Sequence, residues 1–106
     1  MSYRFMRIMI FFDLPVLTPE DRRSYTKFRK FLIKSGFVMM QESVYSKIVL
    51  NQTAVNSVCE NLRKNKPQKG LVQILTVTEK QFERSEILVG EYKNEIINND
   101  ERLIIL

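Results

Sequence analysis

With no histidine, one cysteine and three scattered glycines among its 106 residues, the chain can do only a narrow range of chemistry. Histidine-based acid–base catalysis, Ser-His-Asp triads and His-ligated zinc are excluded. One thiolate cannot build a metal site, and there is no glycine-rich phosphate loop. What remains is oxygen chemistry, and Asp13 is the residue placed for it. It follows five successive large apolar residues, Ile8 to Phe12, in the stretch Ile-Met-Ile-Phe-Phe-Asp-Leu-Pro that ends at Pro15. One carboxylate suits a weakly held Mg²⁺, or another hard cation such as Mn²⁺, that keeps several waters and contacts phosphate oxygens. The plainer role is a strand-end cap bonded to nearby amides. A two-fold dimer would supply a second Asp13, and the pair could hold a metal over a phosphodiester.

The second chemical feature is cationic. Arg23, Lys27, Lys30 and Lys34 recur at helical spacing with no acids interspersed, and Arg22 and Arg29 widen the same surface. Such a stripe fits phosphate contacts, although a solvated face is the common outcome for charge runs. Lys and Arg number 17 against 12 acidic residues, a net charge of +5 that favours a polyanionic partner. Cys59 excludes an intrachain disulfide, and its place on an apolar stripe makes it a core residue rather than a nucleophile.

The elements that must position these groups follow from the hydrophobic pattern. Tyr3 to Phe12 reads as a strand with Met6, Ile8, Ile10 and Phe12 on one face and Phe5, Met9, Phe11 and Asp13 on the other. Pro15 cannot donate to a sheet and biases Leu14 toward extended backbone, so Asp13 falls at the strand's carboxyl end, a common place for ligand sites. Thr18-Pro19-Glu20-Asp21 is a helix start, with a Thr cap, a first-turn proline and two acids. That helix runs to about Lys34, buries Tyr25, Phe28 and Leu32, and ends at Gly36. Phe37 to Met40 and Ser43 to Leu50 read as a hairpin broken at Gln41-Glu42. Asn51 caps a second helix with Val55, Val58, Cys59 and Leu62 inward, and Arg63, Lys64 and Lys66 suit the dipole at its end. A turn over 67–70 leads to a strand from Leu71 to Val77, Glu86 to Val89 is a further short strand candidate, and the chain closes on aliphatic Leu103 to Leu106.

This order is an α+β, ferredoxin-like βαββαβ sandwich in a single domain over 1–106, with its core in 1–80 and an extension in 81–106 that adds a C-terminal strand. Two helices cover one sheet face only. Because the first strand is apolar on both sides, a second copy packed through the sheets is expected to cover the other. The terminal aliphatic strand is expected to join a sheet, in the dimer or in a partner. Arg4 and Arg7 interrupt any signal-peptide pattern and no apolar run approaches membrane-spanning length, so a cytoplasmic, soluble protein without membrane contacts is expected.

Several blocks together carry a family resemblance: Phe12-Asp13-Leu14-Pro15, Arg22-Arg23, Gly36-Phe37, Gln41-Glu42-Ser43-Val44-Tyr45, and Thr78-Glu79-Lys80-Gln81 with the later Ile-Leu-Val. Spread in order over nearly the whole chain, they resemble the small CRISPR-associated integration-subunit family, in particular members that accompany single-effector type II systems. The resemblance implies a ferredoxin-like homodimer that bridges two integrase dimers during spacer acquisition, together with Mg²⁺-dependent endonuclease activity. Asp13 matches the family's strand-end metal-site aspartate. Many members have Tyr where Phe12 stands, so a phenolic hydroxyl is absent here. Two roles follow: a metal-dependent phosphodiesterase, or a non-catalytic scaffold that grips duplex DNA, with RNA as the other possible partner. A ligand-binding regulatory dimer would explain the fold but not the basic stripe. An RNA-recognition domain is disfavoured because its aromatic motif is echoed only faintly, at Lys34-Ser35-Gly36-Phe37-Val38, after the first helix.

Overall fold

A computed structural model describes residues 5–92 of the chain. Strand β1 (Met6–Asp13) is the middle of the molecule in both sequence logic and space. It pairs antiparallel with β3 (Val44–Val49) on one side and with β4 (Leu71–Thr78) on the other. β2 (Val38–Gln41) flanks β3, giving the order β2-β3-β1-β4. Together with helices α1 (Pro19–Lys34) and α2 (Gln52–Lys64), this is the expected βαββαβ arrangement.

Local chemistry sets each boundary. Thr18 and Asp21 close a capping box at the start of α1: the Asp21 amide donates to the Thr18 hydroxyl at 3.0 Å, and the Thr18 amide donates to the Asp21 carboxylate at 3.2 Å. Asn51 caps α2 by accepting from the Ala54 amide at 2.9 Å. Gly36 ends α1 at φ 94°, a conformation that favours glycine, and Lys47 from β3 donates to the Ser35 carbonyl beside it.

The alternation along β1 divides its side chains as the sequence predicts. Ile8, Ile10 and Phe12 are buried under the helices, while Met9 and Phe11 lie half-buried on the other face. The core beneath them joins Phe28 and Leu32 of α1, Tyr45 and Val49 of β3, and Val55, Cys59 and Leu62 of α2. Cys59 is thus a core residue. Phe12 is the aromatic hub, with its ring centroid 5.5 Å from Phe28, 5.6 Å from Tyr45 and 6.2 Å from Tyr25.

Three expectations need revision. The hairpin strand starts one residue late, at Val38, because Phe37 turns into the core and its amide still donates to the Leu32 carbonyl at the helix end. Residues Glu79–Phe82 form an additional single helical turn, α3, with its own capping box between Thr78 and Gln81. Glu86 to Val89 is not a strand here: it carries no ladder pairing, and Ile87, Leu88 and Val89 are exposed. A strand exists only against a partner edge, and after α3 the chain meets none of its own among the described residues. The expected strand start at Tyr3 and the aliphatic end at Leu103 to Leu106 lie outside the described residues.

Candidate nucleic-acid interface

Asp13 is the last residue of β1, paired with Leu71 at the start of β4, and its side chain is exposed on the face away from the helices. Among the described residues its carboxylate enters no ion pair. The strand end is fixed by close approach of the 67–70 turn. A Cβ built on Gly70 would sit 2.7 Å from the Asp13 carbonyl oxygen and 2.7 Å from a Leu14 methyl, and Gly70 has φ 90°. Only glycine meets both conditions without strain. Phe12 points to the opposite face, into the core, so its lack of a hydroxyl does not alter the surroundings of the Asp13 carboxylate.

The metal expectation can be weighed against this geometry. Among the described residues no three His, Cys, Asp or Glu side chains gather. The exposed Asp13 carboxylate is thus not part of a larger ligand cluster among the described residues; it is a donor that fits a hydrated Mg²⁺ and that a second copy would double.

The cations of α1 do not form one simple stripe. Arg23 and Lys27 line a groove of about 580 Å³ with Lys64, Lys66 and Lys69, which come from the end of α2 and the following turn. Leu14 and Pro15, directly after Asp13, line the same groove. The sequence accounts for Lys64 and Lys66 by the helix dipole alone; the fold adds them to the basic face of α1. Lys69 also lies 3.7 Å from the buried Asp21 carboxylate. The hydrogen bond from the Thr18 amide holds the Asp21 carboxyl below its ordinary value, with the Thr18 hydroxyl and Lys69 adding to the effect against the cost of burial.

The remaining α1 cations differ in how free they are. Lys30 lies in a shallow patch with Arg22, Arg23 and Lys27, and Lys34 is exposed in the last turn. Arg22 folds back, donating from Nη1 to the Val16 and Leu17 carbonyls at 3.1 and 3.2 Å. Arg29 donates to the hydroxyl of buried Tyr45 at 2.9 Å. Burial raises the Tyr45 hydroxyl above its ordinary pKa, and the Arg29 contact opposes that rise.

One polar cluster was not foreseen. Arg7, on the open face of β1, donates to both Glu79 carboxylate oxygens at 2.7 Å and to the Ser46 hydroxyl at 2.8 Å, and its guanidinium lies 3.9 Å from the Phe82 ring centroid. The pair is largely shielded, with side-chain exposures of 12% and 16%. The signal available in the sequence was the Thr78-Glu79-Lys80-Gln81 capping box, which predicts a helical turn where Glu79 can return to the sheet.

Comparison with known proteins agrees with this architecture. Residues 6–85 match the family model described as CRISPR associated protein Cas2. A relative from Treponema denticola, named CRISPR-associated endoribonuclease Cas2, is 59% identical over 101 residues, covering 95% of this chain and all of that protein. One of the same name from Streptococcus mutans serotype c is 50% identical, covering 95% of this chain and 93% of the relative. A solved structure described as a crystal structure of Cas2 superposes with a TM-score of 0.58 at 19% identity, over 84% of this chain and 91% of that one, and speaks for the fold. From the aspartate-ended central strand to the helical turn after β4, the matched region contains every element described above, and the chain belongs to the Cas2 family.

Proposed function

We propose that this protein is a homodimeric, Mg²⁺-dependent endonuclease subunit of CRISPR adaptation, with Asp13 of each protomer as metal ligand. The observation that carries the reading is the Asp13 carboxylate itself. It is exposed at the end of the central strand, without a cationic partner among the described residues, and next in sequence to residues lining a groove with five basic side chains and two acidic ones, Glu20 and Asp21. A carboxylate left unpaired among the described residues is available to a cation that is not part of the chain. Mg²⁺, when bound, supplies a Lewis acid and activates water beside the scissile phosphate. The chain's own part is to hold the carboxylate in place and to seat the phosphodiester backbone on Arg23, Lys27 and the turn lysines.

The dimer enters this reading for two reasons. One carboxylate is a thin site for a hard cation, and the open sheet face is apolar, with Val38, Ile48, Leu71 and Leu75 exposed around half-buried Met9 and Phe11. A two-fold copy addresses both. The relatives' names point to RNA as the substrate class. The groove supports a second role as well, a scaffold that grips duplex DNA for the integrase partner during spacer acquisition, because phosphate contacts do not distinguish the two polymers.

Asp13→Asn tests the reading, since it keeps size and hydrogen-bonding capacity while removing the charge a hard cation needs. Purified wild type and variant are incubated with single-stranded RNA and with duplex DNA, in Mg²⁺ and in EDTA. The expected result is chelator-sensitive cleavage that falls roughly a hundredfold or more in the variant, with binding retained and integration by the partner intact. A folded variant with undiminished metal-dependent cleavage would reduce Asp13 to a strand terminus.

A further inference from the structure

The groove between the early turns of α1 and the segment that follows α2 differs in charge from one end to the other. Glu20 and Asp21 stand in the first turn of α1, and Lys69 is held toward that end, 3.7 Å from the Asp21 carboxylate. Lys27 lies further along the helix, roughly 9 Å beyond Asp21 at the rise of an α-helix. Lys64 stands beside the later turns of α1, since it also lines a second cavity with Phe31 and Ser35. Arg23, Lys27 and Lys64 enter no ion pair among the described residues, and Lys66 donates to the Arg63 carbonyl at 3.1 Å. Carboxylates thus occupy one end of the groove and uncommitted cations the other.

Size and charge indicate the ligand. A groove of about 580 Å³ is the room that one small molecule takes, so it encloses a single nucleotide unit rather than a run of them. Five cations against two carboxylates leave it a net charge of +3. A phosphodiester inside a strand brings one negative charge, whereas a terminal phosphomonoester brings about two near neutral pH, because its second pKa is about 6. A strand crossing the whole groove would also run a phosphate past Glu20 and Asp21, and one that stops at Lys27 and Lys64 would not. Half-buried Leu14, Pro15 and Pro67 add an apolar wall, which a sugar can use and a bare inorganic anion cannot.

We infer that the groove is a terminal-phosphate site: it holds the phosphomonoester at the end of a nucleic-acid strand on Arg23, Lys27 and Lys64, with the last sugar against Leu14 and Pro15. The proposal rests on the nucleic-acid reading above and narrows it, for this groove, from phosphates in general to the end of a strand. It applies to paired and unpaired strands alike, because the contacts are to phosphate and sugar and leave the bases unread.

The test uses the full-length protein in EDTA, so that no metal-dependent cleavage intervenes, with internally labelled oligonucleotides of one sequence that end in a 5′-phosphate, a 3′-phosphate or hydroxyls only. Fluorescence anisotropy is expected to show one of the phosphorylated strands bound roughly tenfold tighter than the hydroxyl-ended strand at about pH 7.5, the ratio shrinking to roughly threefold near pH 5.5 as the phosphate loses its second charge. The chain has no histidine, so a response in this range belongs to the ligand. Lys27→Gln/Lys64→Gln abolishes the preference, while Lys80→Gln, which removes an exposed cation of α3 outside the groove, leaves the ratio as it is. A free nucleoside monophosphate displaces the phosphorylated strand only at roughly a hundredfold higher concentration, since it lacks the neighbouring phosphates. Equal potency would give the groove to a small nucleotide and overturn the strand-end site. Equal affinity for all three strands, a preference that ignores pH, or one that survives Lys27→Gln/Lys64→Gln overturns the site and leaves nucleic-acid binding in place. If no strand binds, the nucleic-acid reading fails with it.

Discussion

Gly70 shows how a residue with no side chain can govern a charged one. Its positive φ and its 2.7 Å approach to the Asp13 carbonyl mean that any Cβ must push apart the 67–70 turn and the end of β1. Gly70→Ala is expected to cost about 2–3 kcal/mol in urea denaturation and to lower cleavage beyond that loss, since the displaced backbone carries the carboxylate. Unchanged stability would show that the turn yields freely. Asp21 gives a pH prediction at the same scale. Its folded-state pKa is depressed below the ordinary 3.8, chiefly by the Thr18 amide, so its contribution is fully present above that value and is lost as pH falls below it through the folded pKa. Asp21→Asn should therefore flatten the acid limb of melting temperature against pH below about pH 4, and leave the neutral region parallel to wild type. An unaltered acid limb would locate the acid-sensitive groups elsewhere.

Among the elements, α3 depends most on contacts distant in sequence. One helical turn is too short to persist alone, and this one is tied down by the Arg7–Glu79 pair, the Phe82 ring against the guanidinium, and the Glu79 amide donating to the Phe5 carbonyl at 2.8 Å. Because the pair is mostly shielded, removing one partner leaves the other charge poorly solvated. Glu79→Ala is expected to cost about 2 kcal/mol, whereas replacing both Arg7 and Glu79 by methionine should recover part of that loss. A change under about 0.5 kcal/mol for Glu79→Ala would place the pair with ordinary surface bridges. The same contacts explain why sequence periodicity passed over α3: four residues show no helical period, and the cap is the only local sign.

At the scale of the whole molecule, the helices account for one sheet face, and the described residues put nothing comparable over the other. Met9, Phe11, Ile48, Leu71 and Leu75 make that face apolar, with the shielded Arg7 cluster at one side and exposed Asp13 at the far end of the strand. Sedimentation at low micromolar concentration is expected to give a homodimer, and Leu75→Lys on the open face to shift it toward monomer by burying a charge at the interface. A stable, well-folded wild-type monomer would refute the dimer and with it the two-carboxylate metal site.

The sequence by itself determined the four sheet strands, the two long helices and their order, because the signals are local. The alternation from Met6 to Phe12, the Thr18 and Asn51 caps, and the stripe of Phe28 and Leu32 each lie within one turn or one strand of the structure they specify. It also singled out Asp13, since a carboxylate after five large apolar residues conflicts with its surroundings unless it lies at a strand's end. What the tertiary structure decided are pairings between segments far apart in the chain. Lys64, Lys66 and Lys69 meet Arg23 and Lys27 only because α2 returns beside α1, Arg7 finds Glu79 72 residues away, and Arg22 turns from phosphate contact to loop clamp through carbonyls that no pattern of residue types reveals. Hydrophobic periodicity fixes which face of an element is buried, but the partner of a charged side chain depends on how the packed elements are set against one another.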